Sequence, residues 1–244
     1  MILSGRNVTK KFGDLVAVDS VQFDVKESEI LSIIGPNGSG KTTLFNCITG
    51  IYNPDTGEIL FKGENITNKP PSYICLSGLS RTFQITHLFP ELTCLENLLL
   101  SIQEHKGNLL SRLIRLDESE EIKKAEDMLS FLDIDRLKND PAGSLSYGQQ
   151  KLLELGTVLI PEPELVLLDE PAGGVNPTLI KKIMDRIMEM NKKGITFVIV
   201  EHNMDVVMNY SHRIIVLDHG KKIAEGLPTE IKENKKVIAA YFGG

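Results

Sequence analysis

Gly35-Pro36-Asn37-Gly38-Ser39-Gly40-Lys41-Thr42 matches the pattern GxxxxGK[ST] at every defined position. An apolar run, Ile30 to Ile34, leads into it, and a helical stretch from about Thr42 to Thr49 leads out. Glycines let such a loop bend until consecutive N–H groups point inward at phosphate oxygens. The following helix adds the positive end of its dipole. Lys41 is placed to neutralise β- and γ-phosphates, the Thr42 hydroxyl to ligate Mg²⁺, and Thr43 to donate to an α-phosphate. Gly35, Pro36, Asn37, Gly38, Ser39 and Gly40 are the cradle. The expected ligand is a nucleoside triphosphate.

A second aliphatic run, Leu165-Val166-Leu167-Leu168, ends in Asp169 and Glu170, and a third, Phe197 to Val200, ends in Glu201 and His202. Runs with unbroken aliphatic character are strands covered on both faces of a parallel sheet. Beside a phosphate loop, Asp169 is expected in the Mg²⁺ shell and Glu170 as the group that polarises the attacking water. His202 is expected at the carboxyl edge of the sheet, where ligands of open α/β folds bind.

Working outward, Leu3 to Val8 and Val21 to Val25 read as strands, and Ile214 to Leu217, Asp218-His219-Gly220, then Ile223 and Ala224 as a hairpin. Thr93-Cys94-Leu95-Glu96 has capping-box spacing, and Asn176-Pro177 forms an N-cap and first turn for a helix to about Met190. Asp117 to Leu132 and Ser146 to Ile160 carry apolar residues at helical intervals, and Lys106 to Arg115 reads as a surface loop. The expected architecture is an α/β core, about 1–84 and 159–244, interrupted by a helical subdomain at about 85–158.

The totals fit this. The 244 residues are 41% hydrophobic and 25% charged, the balance of an ordinary globular chain. A formal net charge of -6 speaks against a general nucleic-acid binder. Cys47, Cys75 and Cys94 form no CxxC pair and read as reduced core thiols. No stretch reaches the roughly 18 apolar residues of a membrane span, and the first residues lack the order of a signal peptide. A chain that works at a membrane without a span must dock there.

Leu145-Ser146-Tyr147-Gly148-Gln149-Gln150, ahead of the Asp169-Glu170 strand, resembles the LSGGQ signature of the ABC ATPase superfamily. The resemblance covers essentially the whole chain, with the motifs in the family's order. It implies a core sheet of the phosphate-loop NTPase type, an N-terminal antiparallel β part and an inserted helical subdomain. Gln84 in Arg81-Thr82-Phe83-Gln84 matches the family's Q-loop, contacting metal and water; His202 matches the switch histidine, and Phe12 in Lys11-Phe12-Gly13 the aromatic that stacks on adenine. The resemblance further implies a head-to-tail dimer, with Ser146, Gly148 and Gln149 of one subunit closing over the ATP and Mg²⁺ held by the other.

Three positions depart from that pattern. Tyr147 stands where glycine is usual, and Gly173 and Asn176 stand where the D-loop usually has serine and aspartate. Gly78 to Gln84, Leu95-Glu96-Asn97-Leu98, Asn176-Pro177 and the ending Val237 to Gly243 are similar to branched-chain amino-acid importer ATPases, with urea and short-chain amide importers as the alternative. That likeness implies two permease subunits, a solute-binding protein, a second ATPase subunit (identical or different) and a place on the cytoplasmic face of the plasma membrane. A non-transport ABC ATPase of DNA repair or translation usually has two cassettes or a long coiled coil, and neither is present here. A GTPase would need Asn-Lys-x-Asp, whereas Asn191-Lys192-Lys193-Gly194 lacks the aspartate.

Overall fold

Three buried strands form the frame that positions everything else: β3 (Ile30–Ile34), β7 (Leu165–Asp169) and β8 (Thr196–Val200), every residue of which is buried. The structure is a computed structural model and describes residues 1–82, 88–104 and 118–242; Gln84, the Lys106 to Arg115 stretch and Gly243 lie outside the described residues. Alternate side chains of the three strands enter opposite cores. Val166, Leu168, Phe197 and Ile199 face a cluster shared with the middle helices, whereas Leu31, Ile33, Leu167, Val198 and Val200 face the antiparallel strands. That two-sided burial is why these segments read as continuous aliphatic runs.

In the larger sheet the order is β10-β9-β3-β8-β7-β6, with β6 at Leu79–Arg81, β9 at Arg213–Asp218 and β10 at Lys221–Gly226. All neighbours pair in parallel except β9 and β10. These two form the expected hairpin, turned at His219 and Gly220, whose φ values of 43° and 77° suit a two-residue hairpin turn. The order β3-β8-β7 brings the carboxyl ends of three strands side by side, with Asp169 in register with Val200 and Val200 with Ile33.

A second sheet, order β2-β1-β4-β5, is antiparallel and comprises β1 (Leu3–Phe12), β2 (Leu15–Val25), β4 (Thr56–Phe61) and β5 (Glu64–Asn65). Both β1 and β2 run further than the apolar pattern indicates. Lys11, Phe12, Leu15 and Val16 are exposed, so the alternation of inward apolar residues fades there although the ladder continues through Phe12–Leu15.

Helix α1 (Lys41–Ile48) follows β3 and packs Leu44, Phe45 and Ile48 into the core beneath the antiparallel strands. Helix α2 (Pro71–Leu76) precedes β6, and the main described elements between β6 and β7 are the helices α3 (Cys94–Glu104), α4 (Glu118–Phe131) and α5 (Tyr147–Leu159). Their apolar faces meet through Leu98, Leu129 and Leu152. The Thr93 capping box forms, with Thr93 N donating to Glu96 Oε2 at 2.8 Å and Glu96 N to Thr93 Oγ1 at 3.2 Å.

Helix α6 (Pro177–Lys192) starts as the Asn176-Pro177 pair predicts, Leu179 N donating to Asn176 Oδ1 at 3.0 Å. The amide does here what an aspartate would do at an N-cap. Asn176→Ala is therefore expected to lower stability by about 1 kcal/mol in denaturant titrations, and Asn176→Asp to preserve it.

Candidate functional site

The loop after β3 closes on its own lysine. Lys41 Nζ donates to the carbonyls of Gly35 and Pro36, both at 2.9 Å, and to Ser39 Oγ at 3.4 Å. Lys41 is 5% exposed. Burial pushes its pKa down, while the carboxylates of Glu170 and Asp169 pull it back up. A β-carbon on Gly35, whose φ is +154°, would lie 2.1 Å from the Leu217 carbonyl oxygen. On Gly40, at φ +102°, it would lie 2.3 Å from that of Ala17. Only glycine fits these two places.

The first turn of α1 has no side-chain cap and no acidic residue. Its leading N–H groups are the orphan donors of a helix start, which suits them to an anion. Thr42 and Thr43 sit in that turn, and with Phe12, Asn37, Gly38, Gly40, Lys41, Glu170 and His202 they line one cleft of about 470 Å³. Leu15, Val16 and Ala17 from the start of β2 and His219 from the β9–β10 turn complete the wall. The Phe12 ring is 43% exposed and braced edge-on by Tyr52, their centroids 5.2 Å apart, which leaves an aromatic face at the mouth. Gly220 N donates to the Ser39 carbonyl at 3.1 Å, tying the hairpin to the loop.

Two turns on neighbouring strands supply the polar floor. Glu170 takes a left-handed conformation, φ 51°, and its Oε1 lies 3.1 Å from His202 Nε2. Strain of this kind in a non-glycine residue collects at functional positions. Glu201, adjacent to His202, locks the arrangement. Its Oε1 accepts from Ala172 N at 2.7 Å, and its Oε2 from the backbone N–H groups of His202 and Asn203 at 3.0 and 3.1 Å. Burial drives its pKa up, opposed by those three N–H donors. This tie between the two turns has no motif of its own; the only sequence signal is a charged residue continuing a wholly aliphatic strand.

Asp169, 2% exposed, does not itself line the cleft; its charge reaches the cleft through Lys41, on which it acts. Burial raises the pKa of Asp169, and the Arg81 guanidinium, 3.0 Å away through Nη2 to Oδ2, opposes that rise. The other oxygen, Oδ1, is buried with no hydrogen-bond partner among the described residues. Also among the described residues, no cluster of three or more His, Cys, Asp or Glu side chains could hold a metal. A hard divalent cation held by one hydroxyl, one carboxylate through water and phosphate oxygens fits Thr42 and Asp169.

Ser146, Gly148 and Gln149 do not line this cleft. They form the start of α5, where Ser146 caps Gln149 N and the Gln149 Oε1 accepts from Ser146 N at 2.9 Å. The structure shows how Tyr147 is tolerated. Its side chain lies over the next turn of the same chain, with Oη donating to the Gly173 carbonyl at 3.2 Å. A β-carbon on Gly174 would come within 3.2 Å of the Tyr147 ring. Two of the departures from the family pattern, Tyr147 and Gly173, thus meet each other. Gln84 lies outside the described residues.

Among curated proteins, the chain is 41% identical to a probable branched-chain amino acid transport ATP-binding protein, LivG, of Archaeoglobus fulgidus, over 99% of this chain and 95% of that one. It is 39% identical to the high-affinity branched-chain amino acid transport ATP-binding proteins LivG of Escherichia coli and BraF of Pseudomonas aeruginosa, each over 99% of this chain and 98% of the relative. Its fold superimposes on the ADP conformation of an ATP-binding cassette of an ABC transporter with a TM-score of 0.89, at 39% identity and covering 100% of this chain and 99% of that one. A dimeric bacterial ABC transporter cassette matches with a TM-score of 0.82 at 30% identity, over 93% of this chain and 99% of that one. The family pattern of a branched-chain amino acid ATP-binding cassette transporter matches residues 221–244, and that of the ABC transporter family matches residues 18–173. With its phosphate loop, acidic strand end and histidine around one cleft, the chain belongs to the ABC transporter ATP-binding family, whose members are ATPases coupled to transport.

Proposed function

We propose that this chain is the ATPase subunit of an importer for branched-chain amino acids, with ATP as its substrate and Mg²⁺ as the accompanying cation. The observation that carries the substrate class is the identity of about 40% along 99% of the chain to proteins of that transport system. Phe12 stacks on adenine, the loop from Gly35 to Gly40 with Lys41 and Thr43 holds the phosphates, and Thr42 and Asp169 serve the cation, joined by Gln84 as the family resemblance implies. Mg²⁺, when bound, neutralises charge developing on the β- and γ-phosphates. Glu170 takes the proton of the water that attacks the γ-phosphorus, and the bond to the β–γ bridging oxygen breaks to leave ADP and phosphate. His202, 3.1 Å from Glu170, holds the carboxylate toward that water.

The half-site of Ser146, Gly148 and Gln149 lies apart from this cleft, which supports a head-to-tail pair in which each signature closes over the nucleotide of the other subunit. The dimeric cassette of similar fold supports a second ATPase, identical or different. The segment bearing Gln84 and the helices at about 85–158 then act as a subdomain that pushes on two permease subunits, while about 1–84 and 159–244 form the nucleotide-binding core. No described helix is long and apolar enough to cross a membrane. The chain docks on the permeases at the cytoplasmic face, as the relatives' membership of transport systems supports. A solute-binding protein supplies the amino acid on the far side. No nucleic acid takes part.

Deleting this chain from its host is expected to abolish uptake of labelled leucine, isoleucine or valine, and re-expression to restore it. Loss of urea or short-chain amide uptake instead would move the assignment to those importers.

A further inference from the structure

Arg81 ends β6 and stands three residues before Gln84. A guanidinium stays charged in proteins, so its burial is costly unless it is paired and hydrogen-bonded. The Arg81 side chain is 6% exposed and that of Asp169 1%. Nη2 donates to Asp169 Oδ2 at 3.0 Å, while Nη1 donates to Asn46 Oδ1 at 2.6 Å and to Thr49 Oγ1 at 3.1 Å. The guanidinium carbon lies 5.5 Å from the centre of the Phe45 ring. Phe45, Asn46 and Thr49 belong to α1 and its C-cap, the helix whose first turn carries Lys41, Thr42 and Thr43. One side chain therefore joins the helix that holds the phosphates to the carboxylate on the neighbouring strand end.

The distribution of its bonds is selective. Arg81 occupies Oδ2 of Asp169 and leaves Oδ1, the buried oxygen with no hydrogen-bond partner among the described residues. The backbone of Asp169 is fixed by the residue that follows Arg81, since Asp169 N donates to Thr82 Oγ1 at 3.1 Å and Thr82 N to the Leu167 carbonyl at 2.9 Å. A group that merely neutralised the acid would need neither the bond to Asn46 nor that to Thr49.

We propose that Arg81 is a positioning residue for the divalent cation: its fork ties Asp169 Oδ2 to α1 and so presents Oδ1 to the hydration shell of a metal bound with the nucleotide. This rests on the reading of Asp169 as the metal-shell carboxylate. Partners that orient a metal-binding carboxylate typically govern metal affinity by about 10- to 100-fold. Lysine keeps the charge but cannot span both sides, because it offers a point charge rather than a planar fork.

The test uses the full-length chain with ADP bound and reads Mn²⁺ affinity by electron paramagnetic resonance, together with ADP affinity measured in chelator. Arg81→Lys is expected to weaken Mn²⁺ binding by about 10- to 100-fold, with ADP affinity in chelator unchanged within about twofold. Asn46→Ala, which releases only the α1 side of the fork, is expected to weaken Mn²⁺ in the same direction by less. Asp169→Asn is expected to lose Mn²⁺ binding, and adding Arg81→Lys to it should cost nothing further. Wild-type Mn²⁺ affinity in both Arg81→Lys and Asn46→Ala, with Asp169→Asn impaired, overturns the proposal. So does a parallel loss of ADP binding in chelator, which marks a structural role. Wild-type Mn²⁺ affinity in Asp169→Asn instead removes the reading of Asp169 itself. Should Arg81→Lys fail to fold, Asn46→Ala alone decides between these outcomes.

Discussion

Glu170→Gln is expected to lower ATP turnover by about 10²- to 10⁴-fold while ATP binding stays within a few-fold of wild type. The substitution keeps the size of the side chain and a hydrogen-bonding oxygen near His202 Nε2, 3.1 Å away in the wild type, but removes the ability to accept a proton from water. The Glu170 side chain is 32% exposed, so the change leaves no charge buried and no cavity. Its left-handed backbone is held by bonds that glutamine retains: Glu170 N to the Val200 carbonyl and Gly173 N to the Glu170 carbonyl, both 2.9 Å. Binding and hydrolysis therefore separate in this variant, and ATP-loaded dimers should accumulate on gel filtration where wild type releases phosphate. Phosphate release within tenfold of wild type would transfer the role of base to another group.

The carriers of that prediction stand out in the amino-acid string because the physics forces them to. A phosphate cradle needs glycine where a β-carbon would meet a carbonyl, and Gly35 and Gly40 are such places. Strands buried on both faces must be aliphatic throughout, so β3, β7 and β8 announce themselves, and so do the polar residues that follow each. Caps are local too: Thr93, Ser146 and Asn176 each act within three residues.

What the string hides is set by partners far away in it. Strand β6 is three residues long, too short for a period to show, and β4 opens with two exposed residues and alternates only over its last four. Arg81 pairs with Asp169, 88 positions on, and Glu201 accepts from Ala172, 29 positions back. Either side chain alone looks like a surface charge. The departure at Tyr147 likewise makes sense only with Gly173 beneath it, because the hydroxyl finds its acceptor in a turn 26 residues later. Local chemistry thus marks the atoms that meet the nucleotide, and the sheet order decides which charged residues hold those atoms in place.

Lys41→Ala is expected to abolish measurable ATP binding, by at least about 100-fold, for two reasons that act together. The ammonium is the cation in the cradle, and truncating one member of a buried charge pair costs about 2–5 kcal/mol, of which about 2.7 kcal/mol already corresponds to 100-fold. The same nitrogen donates to the Gly35 and Pro36 carbonyls and to Ser39, so its loss also loosens the loop before any ligand arrives. Asp169 and Glu170, whose charges act on Lys41, would then repel the phosphates with less opposition. Lys41→Arg separates the two causes, since it keeps the charge but cannot fit the loop's three acceptors in the same space. If charge dominates, the arginine variant regains binding in low salt; if the fit to the loop dominates, both variants fail alike in a fluorescent-nucleotide titration. The burial of Lys41, at 5% exposure among fixed carbonyls, favours the second result, with the helix α1 remaining folded by circular dichroism in both.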